Sequence, residues 1–219
     1  MGVEVFADEA AFVRTLHDGS GISIARRVTS PCDLEPDATH FVIALGPLVL
    51  EHPISGSFAL RPGMFVSCPG PAQIDSVSHQ ALVASKHNYR GLFCLGGPIE
   101  PEGRLRYIDG CSDTVLVAPA RLGDPCLNHL HIPAHTAQSR HTHPTVRIGC
   151  VVAGHGLCVT PETETPLSPG TAFTMEPGAM HCFHTDSEPL TVIAYHPDSD
   201  TGPTDEDHPM VNRTLLGQA

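Results

Sequence analysis

Three histidines in this chain are spaced so that they could share a metal ion. His141 and His143 flank a threonine in R-H-T-H-P-T-V-R-I-G-C-V-V-A-G, residues 140–154, and His181 closes P-G-A-M-H, residues 177–181. In an extended strand alternate side chains share a face, so the imidazoles of His141 and His143 point the same way. Imidazole is the commonest metal ligand near neutral pH. Pro177 and Gly178 allow a tight turn just before His181. A third imidazole from a neighbouring strand would complete a triangle, and three such ligands with open positions beyond them suit a working metal site rather than a closed structural one. The same alternation carries Arg147 to the face of the histidine pair. A divalent ion on three neutral imidazoles keeps its full charge. The set therefore favours an anionic substrate, with Arg147 as a two-pronged donor to a carboxylate or other oxyanion. The competing role for Arg147 is a structural bridge to a buried acid.

The elements that must position these residues read as short strands. Glycine and proline are plentiful, 20 and 21 in 219 residues, which suits strands joined by tight turns. Strands are expected over residues 22–28, 114–118 and 128–132, and over residues 41–50 with a break at Gly46-Pro47. Residues 6–16 carry helix-like apolar spacing, with Asp8 as a cap and Gly19 as a stop, and predict a short helix. Residues 57–73 and 167–181 read alike: L-x-P-G, a short apolar run, then P-G. We take this as an internal duplication. The first copy lacks the ligands. Gln73 stands where the second copy has His181, and His40 and His52 are isolated. A turn-rich segment at residues 96–103 divides the chain into a metal-free unit, residues 1–103, and a metal-binding unit, residues 104–219, whose end at residues 198–208 is an acidic tail.

With those residues in view, the chain resembles the cupin superfamily. The pattern HxH, a glycine about ten residues on, P-G, then P-G-x-x-H is similar to the two cupin motifs, and it covers about residues 138–185. The resemblance implies an all-β fold of two jelly-roll barrels in tandem, the short N-terminal helix serving as a cover. Many cupins place a glutamate four residues after the second histidine as a fourth ligand; here Arg147 occupies that position. Three-histidine cupins resemble thiol, gentisate-type and β-diketone dioxygenases. This points to Fe(II), with Ni, Mn, Cu and Zn as alternatives. The implied function is an iron dioxygenase acting on a small anionic molecule. A metal-dependent isomerase, lyase or hydrolase and a non-catalytic metal- or ligand-binding cupin stand as alternatives.

Other residues compete for roles. Tyr195 is a candidate acid or hydrogen-bond donor, against the plainer role of a core tyrosine. His129 and His131 form a second HxH and a rival metal pair. Gln138 is a weak candidate for a pocket contact. Phe183 is in phase with His181 and should line the site, whereas Cys182 and His184 are out of phase. The eight cysteines form no C-x-x-C pair and read as reduced thiols. A net charge of −12 argues against nucleic acid and anionic membranes as partners. The first ten residues lack a basic segment and a long apolar core, so no signal peptide is expected. The expected protein is cytoplasmic, and its expected assembly a homodimer.

Overall fold

The computed structural model describes residues 2–7, 11–75, 81–211, 214, 215 and 217. These residues form short strands with a single 3-10 turn, Ile108–Gly110. The first half supplies β1 (Val3–Phe6), β2 (Val13–Asp18), β3 (Gly21–Val28), β4 (Cys32–Leu34), β5 (Ala38–Ala44), β6 (Leu48–His52), β7 (Gly56–Leu60), β8 (Phe65–Pro69), β9 (Ala72–Asp75), β10 (Ala81–His87) and β11 (Cys94–Gly96). The second supplies β12 (Leu105–Arg106), β13 (Ser112–Val117), β14 (Cys126–Ile132), β15 (Arg147–Gly154), β16 (Gly156–Val159), β17 (Glu164–Leu167), β18 (Ala172–Met175), β19 (Cys182–His184) and β20 (Leu190–His196). The expected strands over residues 22–28, 114–118 and 128–132 fall within β3, β13 and β14. The apolar run of residues 41–50 breaks between β5 and β6, at Gly46-Pro47.

The strand orders repeat. A six-stranded sheet runs β11-β8-β5-β10-β3-β2, and a seven-stranded sheet runs β1-β18-β15-β20-β14-β13-β12. The smaller sheets are β4-β9-β6-β7 and β17-β16-β19. Matching β8 to β18, β5 to β15, β10 to β20 and β3 to β14 superposes one order on the other, as a duplicated chain would. Each half is an open pair of facing sheets, and no closed barrel is found among the described residues.

Alternation along each strand of the two large sheets feeds two cores at once. On β5, Phe41 and Ile43 face the second half while Val42 and Ala44 face the four-stranded sheet. On β20, Ile193 and Tyr195 face the first half while Leu190 and Val192 face the three-stranded sheet. Apolar cores thus lie inside each half and between them. Each fully buried large side chain contributes about 1.5–3 kcal/mol. No helix among the described residues is long and apolar enough to cross a membrane.

Among the described residues no helix covers residues 6–16. Phe6 ends β1, which pairs with β18 in the second half's sheet, and residues 13–16 belong to β2, which pairs with β3. Asp8 and Ala10 lie outside the described residues. The apolar spacing that reads as one helical face comes from two contacts instead. Phe6 stacks on Phe12 with ring centroids 3.9 Å apart, and Phe12 and Leu16 are buried in the core between the halves. Strand pairing and burial outweigh a helix preference of a few tenths of a kcal/mol per residue (about 0–0.7).

Candidate metal centre

The site is built where two extended segments zip together. His141 and His181 exchange backbone hydrogen bonds, His141 N to His181 O at 2.9 Å and His181 N to His141 O at 3.0 Å. Gly178 N donates to His143 O at 2.8 Å. Gly178 has φ +74°, a conformation that glycine adopts without the strain a side chain would add. Although His141 lies in an isolated bridge and His143 in a loop ahead of β15, the three rings still converge. Their centroids are 5.0 Å apart for His141 and His143, 4.6 Å for His141 and His181, and 5.1 Å for His143 and His181.

The donor set fits a metal ion. One ring nitrogen from each histidine lies within 4.8 Å of the other two. Two metal–nitrogen bonds of about 2.1 Å at a tetrahedral angle set the nitrogens about 3.4 Å apart, so the rings need to close in by no more than about 1.4 Å to share one ion. Two rings are already oriented by their backbones. His141 Nδ1 lies 2.9 Å from the Ser139 carbonyl, and His181 Nδ1 lies 2.9 Å from the Ala179 carbonyl. A carbonyl can only accept, so Nδ1 carries the hydrogen in each ring and Nε2 keeps its lone pair for a metal. Burial, joined by Arg147 and the neighbouring imidazoles, lowers His143 to about 3. Burial, His141 and Arg147 lower His181 to about 4, although its bond to the Ala179 carbonyl acts the other way. Both are neutral at pH 7, the form that binds metal.

The trio opens on a cavity of about 300 Å³. Phe173, Met175, Phe183 and Val192 form apolar walls, and Arg147 lines the same space. Arg147 Nη1 donates to the Thr145 carbonyl, Thr145 Oγ1 and the Val146 carbonyl at 3.2, 2.8 and 2.8 Å. Its Nε is buried without a hydrogen-bond partner. No carboxylate pairs directly with Arg147 among the described residues; Thr145 Oγ1, which accepts from its Nη1, donates to Asp198 Oδ1 at 2.7 Å, so the buried acid of the structural-bridge role is met through one hydroxyl.

The other candidates separate cleanly. Phe183 lines the cavity, its ring edge-on to His181 at 6.0 Å. Tyr195 is not brought to the site. It is fully buried in the core between the halves, tilted against Phe41 at 4.9 Å, with its hydroxyl 3.2 Å from Ser23 Oγ. The reason is parity: on β20 Ala194 and His196 face the cavity, so Tyr195 faces away. Gln138 does not line the cavity; its Oε1 accepts from the Phe183 backbone N–H and so helps fix that strand. His129 and His131 lie on the face of β14 opposite Asn128 and Leu130, away from the trio, and His129 borders a separate cavity. Cys182 and His184 contact each other, Sγ to Nε2 at 3.4 Å, outside the cavity lining. All eight cysteines are free, and burial pushes the Cys150 and Cys158 thiols up to about 12.

Sequence reasoning missed five polar residues of the cavity: Arg106, Tyr107, Asp113, Asn128 and His196. His196 was findable, because alternation from Val192 through Ala194 leads to it. Its ring lies 6.4 Å from that of His143, and burial holds it neutral. Asp113 and Asn128 carry no motif, and only the pairing of β13 with β14 brings them together.

A family model described as an AraC-like ligand binding domain matches residues 122–201, the part of the chain that holds the trio. No curated protein matches in sequence. Among solved structures, the fold is similar to that of protein Ylba from E. coli, with TM-score 0.62, 13% identity and 93% of each chain covered. It is similar to a cupin 2 conserved barrel domain protein from Leptotrichia buccalis, with TM-score 0.59, 10% identity, and 88% of this chain and 91% of that one covered. A mutant salicylate 1,2-dioxygenase from Pseudoaminobacter salicylatoxidans matches with TM-score 0.57, 11% identity, and 80% and 70% covered. The fold is thus similar to that of cupin structures, and the segment that carries the histidine trio matches an AraC-like ligand binding domain.

Proposed function

We propose that this chain is a mononuclear non-haem iron dioxygenase acting on a small anionic organic substrate. The carrying observation is the trio His141, His143 and His181, with lone pairs free for a metal, facing a cavity that also holds an unpaired arginine. Fe(II) held there would supply open positions for substrate and O2. Arg147 receives the anionic end of the substrate with its free guanidinium edge. Phe173, Met175, Phe183 and Val192 exclude water from the reacting atoms. The similarity to a salicylate 1,2-dioxygenase supports the reading at the level of fold. Oxygen uptake by iron-loaded protein, measured with a panel of thiols, hydroxy-aromatic acids and diketones, tests it. Uptake with one class is expected, and none with any class counts against it.

A second reading, a ligand-binding module without turnover, is favoured by the AraC-like match. It predicts saturable binding of a small molecule that is recovered unchanged. Retention of zinc with no redox-active metal would instead favour a hydrolase, lyase or isomerase. We also propose a homodimer, for which mass in solution is the direct measurement.

A further inference from the structure

The cavity beside the histidine trio holds a second charge of opposite sign. Asp113, on β13, lines it together with Arg147, on β15. In the seven-stranded sheet β20 and β14 lie between these two strands. Three inter-strand spacings separate the backbones by about 14 Å. The two charges do not meet: no ion pair joins Asp113 or Arg147 to any described residue. The Asp113 carboxylate is held by Asn128 Nδ2, 3.2 Å from one oxygen and 3.1 Å from the other. That contact fixes the carboxylate without neutralising it, and burial raises its proton affinity. Tyr107 lines the same cavity as Asp113 and Arg147. Arg106 also lines the cavity, on its exposed side, and forms no ion pair among the described residues.

Asp198, which accepts from Thr145 Oγ1, is hydrogen-bonded to Arg147 only through that hydroxyl, so the Arg147 Nε–H stays without an acceptor and Asp113 without a cation, and buried groups left so cost free energy. A ligand carrying the complementary pair of groups removes both costs together. We propose that the ligand of this cavity is bipolar, with a carboxylate or other oxyanion at the Arg147 end and an ammonium, amide N–H or hydroxyl donor at the Asp113 end, several bonds away. Asp113 is then a specificity-determining residue and Asn128 its positioning residue. The inference rests on the proposed function only in using the same cavity; it requires a ligand there, not oxygen chemistry.

The test is binding of matched probes by calorimetry to the full chain, metal-loaded and metal-free, with metal content measured in each sample. Glycine, γ-aminobutyrate and ε-aminocaproate are each compared with the hydroxy analogue and the parent carboxylate. The wild type should prefer a donor-bearing member over its parent by roughly tenfold or more, the worth of one charge-assisted hydrogen bond, and the longer skeletons should show it most. Asp113→Leu should abolish that preference, and Asp113→Asn, which keeps the shape and Asn128 as neighbour, should lose it for ammonium while keeping part of it for hydroxyl. Arg147→Gln should weaken every member of a set and leave the ratio within it unchanged. A ratio untouched by both Asp113 variants overturns the proposal, as does a wild type that prefers the parent acids or binds no donor-bearing probe. If the ratio behaves as expected while iron-loaded protein consumes no oxygen, the dioxygenase reading falls and this one stands.

Discussion

The two halves share a strand order but use their interiors differently. Inside the first, Leu34, Val42, Leu48, Leu50, Leu60, Val66 and Ile74 fill the space between six- and four-stranded sheets. Inside the second, the corresponding space between seven- and three-stranded sheets is only partly filled, and the remainder is the cavity bounded by the trio, Arg147 and Asp113. The fold fills one such interior and leaves the other open, and the open one carries the histidine trio. It also shows why Gln73 is no relic of a ligand. Gln73 pairs with Asp33 and is exposed, while Ala72 and Ile74 on either side are buried. In the second half the parity is reversed, and His181 and Phe183 point inward.

The largest effect should come from exchanging these positions. His181→Ala removes one of three ligands, and metal affinity should fall by more than the roughly 10–100-fold that loss of an outer partner costs. Metal content after dialysis measures it. Gln73→His should gain no metal, because its side chain faces solvent. A second bound ion in that variant would break the comparison and make the first half a dormant site.

Packing is the next contrast. Leu50 is fully buried in the filled interior, so Leu50→Ala should cost about 2–5 kcal/mol of stability in urea unfolding. Leu130 already borders the open cavity, and Leu130→Ala should cost under about 2 kcal/mol, since less packing is lost. Equal costs would mean that the cavity closes in solution.

What the sequence made legible follows the same division. The trio was readable because HxH and P-G-x-x-H fix spacing within short segments, and one pair of backbone hydrogen bonds joins them. The inward turn of Arg147 followed from alternation on one strand. Tyr195 was misplaced because its chemistry suggested a role before the parity of β20 was counted, and the same count would have offered His196. Asp113 and Asn128 meet only through the register of β13 with β14, which no local pattern encodes. The N-terminal helix was misread for a related reason: β1 finds its partner, β18, more than 160 residues away, Val3 opposite Met175.

Acid should separate metal-free from metal-loaded protein. Below pH 6.5 the unfolded chain protonates its histidines, while burial keeps His143 and His181 neutral down to about 3 and 4. The unfolded state then binds more protons, so stability falls as pH drops from 6.5 toward 4. Thermal melts of metal-free protein should show that slope, and a His143→Gln, His181→Gln double variant should flatten it. His40 in the first half, also held neutral by burial but hydrogen-bonded to Ser85 and the Glu35 carbonyl, leaves a residual slope in that variant. His129 and His196 in the second half, also held neutral by burial, add to that residual, so a slope unchanged by the double variant would move the acid sensitivity from the trio to these three histidines.

The smallest effect distinguishes a residue between the halves from one in the site. Tyr195 buries its ring against Phe41 and makes one hydrogen bond, to Ser23 across the interface. Tyr195→Phe keeps the ring and removes that bond, so it should cost about 0.5–1.5 kcal/mol. Metal content, probe binding and any turnover should stay at wild-type levels, because alternation points this side chain away from the cavity. Loss of turnover at unchanged stability would mean that the hydroxyl reaches the reacting atoms in a state where β20 has shifted register, and the separation of core from site on that strand would have to be abandoned.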